Sequence, residues 1–222
     1  MLTEEYINRG FIPLKPSEQI SDVLETMKSD AAISLPVVEP TTGKLIGQVT
    51  LSQLEEAVDK GAAISSIRFE NAPSLYPHQH IFEAARSMLI HEVGYLPVVD
   101  ADQSWIGILE KCRTVEALTG LLNVTVQGSV LEVEVAAQDY HLGELVQLIE
   151  MEQARILGVA VQTPTHVQDP FLISFKLNVQ DTSAISQSLR RHGYLIRSES
   201  DSELLNVDIS ERADELMRYL DV

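Results

Sequence analysis

The chain contains an internal repeat with an offset of 61 residues, and this duplication limits its possible folds more than any other feature. The residues that recur unchanged are Leu14, Pro16, Ile20, Met27, Leu35, Pro36, Val37 and Val38, as Leu75, Pro77, Ile81, Met88, Leu96, Pro97, Val98 and Val99. After a one-residue deletion, Leu45-Ile46-Gly47 recurs as Trp105-Ile106-Gly107. Because the identities fall on apolar and proline positions, they indicate a duplicated structural unit. One such unit buries too small a core alone, so we expect the two to pack on each other.

Within each repeat, the spacing of the apolar residues changes in the same order. It predicts a helix, then two strands, and then a second helix. The inner face of the first helix is predicted to consist of Ile20, Val23, Leu24 and Met27. Ser17 is the candidate N-cap of that helix, since Ser is favoured at this position. The predicted strands cover 33–38, 44–49, 94–99 and 105–109. The closing helices begin near Leu51 in the first repeat and end near Leu118 in the second.

After Gly128 the pattern changes to that of a separate unit. Residues 130–135 alternate between apolar and charged side chains, which predicts a half-buried strand. Further predicted elements are helices over 141–153 and 183–191 and strands over 156–162, 171–179 and 194–198. The resulting order βαββαβ is that of a ferredoxin-like unit, which makes the chain an α/β (α+β) protein overall.

The last 22 residues, 201–222, form an acidic segment that predicts an amphipathic helix. Its apolar stripe consists of Ile209, Ala213, Leu216, Met217 and Leu220, and Ser210 is placed to cap it. Such a stripe is expected to be buried, because a continuous row of apolar side chains on one face of a helix is unfavourable in water. We expect it to pack on its own protein or across a dimer, with a foreign partner as the alternative.

Composition excludes several classes of function. Asp and Glu number 33 against 16 Lys and Arg, a net charge of −17 that disfavours nucleic acid as a partner. No apolar run reaches the roughly 20 residues that span a bilayer, and the first residues do not resemble a secretory signal. Cys112 is the single cysteine, so neither an internal disulfide nor a cysteine metal framework is expected. We therefore expect a cytoplasmic protein without membrane attachment, and no metal site or catalytic constellation is recognisable.

The repeated unit, with Pro-Val-Val in its first strand and a glycine in its second, resembles a CBS domain. The unit from 128 to 200 resembles an ACT domain, because Gly143-Glu144-Leu145 fits the start of that family's first helix although its proline is missing. The predicted boundaries are 1–65 and 66–122 for two CBS domains, 128–200 for the ACT-like domain and 201–222 for the terminal helix. This arrangement resembles that of the AcuB-type acetoin-utilisation proteins.

The CBS resemblance implies a regulatory module (Bateman module) that binds adenosine-containing ligands such as AMP, ATP or S-adenosylmethionine. In such pairs a hydroxyl at a helix N-terminus faces phosphate, and a carboxylate three residues later accepts the ribose hydroxyls. By this pattern Thr50 takes the phosphate position, and Gln53 replaces the ribose aspartate. The short strand implied to line the adenine consists of Ser34, Leu35 and Pro36. In the second repeat Glu110 replaces the hydroxyl, and Lys111 or Arg113 is a candidate to reach a phosphate.

The ACT resemblance implies a ligand loop, usually for an amino acid. Its candidate residues are Asp139, Leu142, Gly143 and Glu144. Together the resemblances imply a homodimeric regulator that is not an enzyme, requires no cofactor, takes an adenosine nucleotide as its regulatory ligand and controls a partner enzyme. One alternative is a dimerising scaffold or adaptor without a small ligand, which the substitutions at Gln53 and Arg113 favour. Another, from the family name alone, is an enzyme-associated subunit of acetoin metabolism.

Overall fold

The repeated sequence folds as two copies of one helix–hairpin–helix unit. A computed structural model describes residues 1–166 and 168–200, so the predicted terminal helix over 201–222 lies outside the described residues. The elements of the first repeat are α1 (Ile20–Ser29), β1 (Ser34–Glu39), β2 (Lys44–Thr50) and α2 (Leu51–Glu56). Those of the second are α3 (Ile81–His91), β3 (Tyr95–Val99), β4 (Trp105–Glu110) and α4 (Lys111–Leu121). Short 3-10 helices precede them at Thr3–Tyr6 and connect them at Ile64–Ser66.

The two hairpins share their register down to the irregularities. Val37 pairs with Gly47 across the first hairpin, and Val98 pairs with Gly107 across the second. Each register shifts just after that valine, and each valine also forms a parallel bridge, to Leu14 or to Leu75. The residues repeated in sequence therefore occupy equivalent places in space, and the predicted duplication is confirmed.

Hydrogen bonds between the repeats join the turns of the two hairpins. The Leu45 amide donates to the Gln103 carbonyl at 3.1 Å, and the Trp105 amide donates to the Gly43 carbonyl at 2.8 Å. Because the two bonds are related by the repeat itself, the repeats face each other about a local pseudo-twofold axis. Both repeats lie in one compact unit, Met1–Leu118, as the small size of each repeat predicts.

The segment that leads into each repeat crosses the hairpin of the other repeat. Glu70 and Gln48 exchange two backbone hydrogen bonds of 2.9 Å, and Asn8 and Ile108 exchange two of 2.8 and 3.1 Å. We call residues 68–71 the crossing segment. A Cβ on Gly47 would lie 2.6 Å from the Glu70 carbonyl oxygen, which explains why the second strand requires glycine here.

The second unit, which begins at Thr119, has the predicted ferredoxin-like order. Its elements are β5 (Ser129–Val135), α5 (Leu142–Met151), β6 (Ile156–Gln162), β7 (Phe171–Leu177), α6 (Ser183–Arg191) and β8 (Leu195–Ser200). The four strands form an antiparallel sheet in the order β6-β7-β5-β8. One face of this sheet packs on both helices, and the alternating residues of β5 from Leu131 to Val135 are buried there.

The structure corrects two local expectations, the cap of α1 and the start of β8. Ser17 does not cap α1, because that helix begins at Ile20 and its N-cap is Gln19, which makes no side-chain capping bond. In the second repeat the cap is His80, whose ring nitrogen Nδ1 accepts from the Phe82 amide at 3.3 Å. Tyr194 precedes β8 rather than starting it, and its ring is buried in the core of the second unit.

Candidate functional site

Thr50 and Gln53 form a reciprocal capping box at the start of α2. Thr50 Oγ1 accepts from the Gln53 amide at 3.4 Å, and Gln53 Oε1 accepts from the Thr50 amide at 3.1 Å. This arrangement satisfies two amide groups that the first turn of a helix leaves unpaired. The Gln53 Nε2 group donates to the Arg68 carbonyl at 3.2 Å. The side chain that replaces the ribose aspartate therefore ties α2 to the crossing segment.

Gln53 lines a cleft of about 510 Å³ with the four residues of the crossing segment, Arg68, Phe69, Glu70 and Asn71. We call this the first cleft. Ser34 lies opposite Thr50 in the hairpin register, so the structure brings these two predicted residues together, but neither of them lines the first cleft. Leu35 and Pro36 follow on the same strand and are buried. The Thr50 hydroxyl also lies 3.2 Å from the Ser52 hydroxyl, which leaves two hydroxyl groups at this end of the helix.

The second repeat has an equivalent cleft of about 530 Å³, but its residues are already engaged with one another. Glu110, at the position of Thr50, accepts from Asn8 Nδ2 at 2.7 Å. Arg113, at the position of Gln53, forms an ion pair of 2.8 Å with Glu116. The cleft is lined by Arg113 and Glu116 together with Glu5, Tyr6, Ile7, Asn8 and Arg9. Arg113 thus lies in a different cleft from Gln53, while Lys111 is exposed and lines neither.

Tyr95 fills the strand position that Ser34 holds in the first repeat. Its ring packs 5.8 Å from that of Phe11 and contacts the core of the first repeat. Burial raises the pKa of the Tyr95 hydroxyl, and the neighbouring carboxylates of Asp30 and Glu110 add to the increase. A bulky ring stands opposite Glu110 in the second repeat where the first has a small hydroxyl opposite Thr50, so the first repeat is the better candidate.

The ACT-like loop is split by the structure into two groups. Asp139 and Glu144 both line a cleft of about 460 Å³ in the second unit. Leu142 instead packs against the core, and Gly143 faces open space, where an added Cβ meets nothing within 4 Å. The other residues that line this cleft are Glu134, Val135, Ala136, His141, His192, Gly193, Tyr194 and Leu195.

Tyr194 is the notable addition to this cleft. Burial raises the pKa of its hydroxyl to about 12, and the hydrogen bond to Glu144 and the charge of Asp139 act in the same direction. The carboxylates of Glu134, Asp139 and Glu144 give the cleft an anionic lining that suits an ammonium group. Among the described residues no group of three or more His, Cys, Asp or Glu side chains is arranged to hold a metal ion.

Sequence reasoning missed the crossing segment and Tyr194. The residues of the crossing segment have no identical counterparts in the other repeat, so the periodicity that revealed the hairpins does not mark them. Tyr194 follows a helix-ending glycine and reads as part of a strand. In the described ranges no helix is long and apolar enough to cross a membrane.

Comparisons with known proteins agree with the duplication. The CBS domain family model matches residues 4–60 and 64–111. A homoserine O-acetyltransferase from Methanococcoides burtonii is 31% identical over 98 residues, which are 44% of this chain and 20% of that protein. The chain thus spans one fifth of the length of this curated relative.

Two solved structures illustrate the structural likeness. One is a CBS domain pair/ACT domain protein from Thermotoga maritima, with a TM-score of 0.49 and 21% identity over 54% of this chain and 98% of that one. The other is a protein assigned to acetoin utilization (AcuB) from Vibrio cholerae, with a TM-score of 0.48 and 22% identity over 56% and 95%.

Proposed function

Since the chain carries a tandem pair of CBS domains, we propose that it is a nucleotide sensor. It binds an adenosine-containing nucleotide in the first cleft and thereby controls a partner protein. CBS pairs are regulatory modules that sense nucleotides, and proteins built on them are generally regulatory rather than catalytic. They often form dimers and regulate partner proteins. For this chain we propose a cytoplasmic homodimer that has no catalytic activity and requires no cofactor.

The observation that supports the first cleft is its combination of volume and donors. Its volume of about 510 Å³ falls within the range of small-molecule sites, roughly 300–1,000 Å³. Arg68 supplies a positive charge in the lining of the cleft, beside the carboxylate of Glu70. The hydroxyls of Thr50 and Ser52 lie outside that lining, at the start of the helix that carries Gln53. A guanidinium forms charge-assisted and often bidentate hydrogen bonds with phosphate. In the second repeat the acid Glu110 takes the position of the Thr50 hydroxyl, outside the lining of the second cleft, and a carboxylate at that position repels phosphate.

The side chain of Gln53 links ligand binding in the first cleft to the arrangement of the two repeats. Its amide joins α2 to the Arg68 carbonyl, and the crossing segment leads directly into the second repeat. A ligand whose ribose hydroxyls compete for the Gln53 amide weakens this link, whereas the empty cleft retains it. Such a ligand binds one arrangement of the two repeats better than the other, and this difference alone can shift their populations. The neutral amide forgoes the charge-assisted hydrogen bonds of an aspartate, worth about 1.5–3 kcal/mol each, so we expect weak binding.

A second candidate function is a scaffold without a small ligand. It is favoured by the capping box, because both ends of the Gln53 side chain already have protein partners. On this alternative the pair of CBS domains serves dimerisation, and the anionic cleft of the second unit becomes the candidate sensor. That cleft, with Asp139 and Glu144, suits the ammonium group of an amino acid.

A thermal-shift titration with AMP, ADP, ATP and S-adenosylmethionine tests the nucleotide proposal. A ligand at 100 times its Kd adds about 2.7 kcal/mol of stability, which raises the unfolding midpoint by a few degrees. We expect Thr50→Ala to abolish the shift and Thr50→Ser, which retains the hydroxyl, to preserve it. The absence of a saturable shift at millimolar concentrations of all four compounds would overturn the proposal and leave the scaffold.

A further inference from the structure

The sheet of the second unit has an outer face that its helices α5 and α6 leave uncovered in the part of the chain that the structure describes. The opposite face carries the buried residues of β5 and β7 and packs on both helices. Because side chains alternate along a strand, Val130, Ser174 and Ala160 lie on the outer face. They belong to β5, β7 and β6, which are neighbours in the sheet.

An apolar groove of about 190 Å³ opens on this outer face. One wall is the connection 122–128 that precedes β5, where Leu122 and Val124 are 40% and 56% exposed. Lys176 is the charged residue of the lining, and its ammonium donates to the Gly128 carbonyl at 3.3 Å. We call the lining residues the sheet groove: Leu122, Val124, Val130, Gly158, Val159, Ala160, Ser174 and Lys176.

The wall of the sheet groove is held in place by contacts with β6. Asn123 Nδ2 donates to the Leu157 carbonyl at 2.6 Å. A Cβ on Gly158 would lie 3.2 Å from the Leu122 carbonyl oxygen, so the glycine leaves room for this close approach. The groove is smaller than small-molecule sites, which measure roughly 300–1,000 Å³. It therefore suits apolar side chains inserted from a protein segment better than it suits a whole ligand.

We propose that residues 201–222 of the same chain cover the sheet groove and insert their apolar stripe into it. Strand β8 ends at Ser200, which pairs with the groove residue Val130, so the chain leaves the sheet directly beside the groove. A helix over the stripe, 209–220, is about 18 Å long. A seven-residue strand such as β5 is about 23 Å long, so the helix fits on the face of the sheet. The stripe residues share one helix face, at i, i+4, i+7, i+8 and i+11: Ile209, Ala213, Leu216, Met217 and Leu220.

The distance to be bridged favours a segment of the same chain over one from a second copy. Residues 201–208 separate β8 from the first stripe residue, and a chain of this length without secondary structure spans about 14–17 Å on average. Strand β6 lies three strands from β8, about 14 Å away at a spacing of roughly 4.8 Å. A tether whose average length matches the span gives the highest effective concentration, in the millimolar range.

The charges of the two surfaces agree with this occupant. Residues 201–222 contain seven acids and two bases, and on a helix the acids from 208 to 221 lie off the apolar stripe. The sheet groove contains Lys176 and, among its described lining residues, no carboxylate. A chain with a net charge of −17 repels an acidic segment that arrives from solution, whereas a tethered one is already held beside the groove.

Disulfide trapping in the full chain tests the contact directly. Cys112→Ser removes the single native thiol, and Ala213→Cys places a thiol in the middle of the stripe. This chain is combined in turn with Ala160→Cys and with Ser174→Cys, two groove positions on paired strands. We expect at least one of the two pairs to oxidise at least tenfold faster than the controls, and to yield a disulfide within one chain.

Two control pairs isolate the stripe and the groove. One joins Ala213→Cys to Gln187→Cys, which is exposed on α6 on the other side of the sheet. The other joins Ala160→Cys to Glu211→Cys, which lies on the helix side opposite the stripe. A non-reducing gel separates a bond within one chain from a covalent dimer. Oxidation no faster than in the controls, or a product that is mainly dimer, overturns the proposal.

Limited proteolysis gives a second readout that needs no added cysteine. Trypsin cleaves after Arg212 and Arg218, and a helix seated in the groove protects both bonds. Ala160→Glu places a carboxylate in the groove, and because Ala160 is exposed on the edge strand β6 the fold tolerates it. We expect this variant to be cleaved at both bonds at least tenfold faster than the wild type, and Gln187→Glu to be cleaved at the wild-type rate. Equal rates in Ala160→Glu and the wild type overturn the proposal, and neither experiment bears on nucleotide binding.

Discussion

Replacing Gly47 with alanine tests the contact between the first hairpin and the crossing segment. The new Cβ would lie 2.6 Å from the Glu70 carbonyl oxygen and 2.8 Å from Phe69 Cβ. Both atoms belong to rigid parts of the crossing segment, so the clash is not relieved by rotating a flexible side chain. Gly47 also has a φ of +148°, a backbone conformation that residues with a Cβ rarely adopt.

The expected loss of stability follows from these two effects. Holding a residue with a Cβ in such a conformation costs about 1–3 kcal/mol. Moving Glu70 away breaks its two hydrogen bonds with Gln48, each worth about 0.5–1.5 kcal/mol. We therefore expect Gly47→Ala to lower the free energy of unfolding of the first unit by about 2–6 kcal/mol. Gly107→Ala should be less harmful, because Gly107 meets Asn8 and Ile7 at similar distances but is not among the glycines of positive φ.

The assay is urea unfolding followed by the fluorescence of Trp105, the single tryptophan, which lies in the first unit. Gly94→Ala is the matched control in the same unit, since an added Cβ there meets nothing within 4 Å. We expect this control to stay within about 1 kcal/mol of the wild type. A loss of less than about 1 kcal/mol for Gly47→Ala, or an equal loss for the control, would refute the reasoning.

Three further predictions concern single side chains. Thr50→Ala removes the hydroxyl of the capping box and should lower the free energy of unfolding of the ligand-free protein by about 0.5–2 kcal/mol. Thr50→Ser retains the hydroxyl and should change that free energy little. Equal losses in the two variants would contradict the capping role. Gly143→Ala, in the first turn of α5 with open space around it, should raise stability by about 0.4–1 kcal/mol in chemical unfolding, and a decrease would point to a conformation that requires glycine. Glu144→Gln should lower the pKa of Tyr194 from about 12, as read by ultraviolet titration of tyrosinate. Because the pKa of Tyr194 is raised in the folded state, the protonated hydroxyl contributes its full stabilisation below the ordinary pKa of 10.0, and this contribution is lost as the pH rises towards 12. An unchanged tyrosinate titration in Glu144→Gln would exclude the hydrogen bond between Tyr194 and Glu144.

The regular elements of this protein were predictable because their signals are local. The recurrence of Leu35-Pro36-Val37-Val38 revealed the duplication, and hydrophobic periods of 2 and 3.6 residues distinguished strands from helices. Helix α6 and strand β6 have the predicted bounds, and most other ends differ by one to three residues. Element ends depend on capping and on tertiary packing, which explains the wrong assignment of Ser17 as a cap.

The candidate site was predictable only in part. Thr50 and Ser34 were expected together, and the antiparallel register places them opposite each other. Arg113 was expected to reach a phosphate in the same site, but it lines the other cleft, because each repeat builds its own cleft with a segment from outside its hairpin. The sequence pattern shows that Gln53 replaces an acid, but not that its amide binds the Arg68 carbonyl 15 residues away.

The duplication, and with it the class of module, can be read from the sequence because the same residues recur at an offset of 61. The order of the helices and strands can be read as well, since it depends on residues a few positions apart, whose spacing decides which side chains share a face. The tertiary structure alone decided which segment crosses which hairpin, and therefore why Gly47 must lack a side chain and where each cleft lies. These properties arise from contacts between residues far apart in the chain, for which local periodicity has no signal.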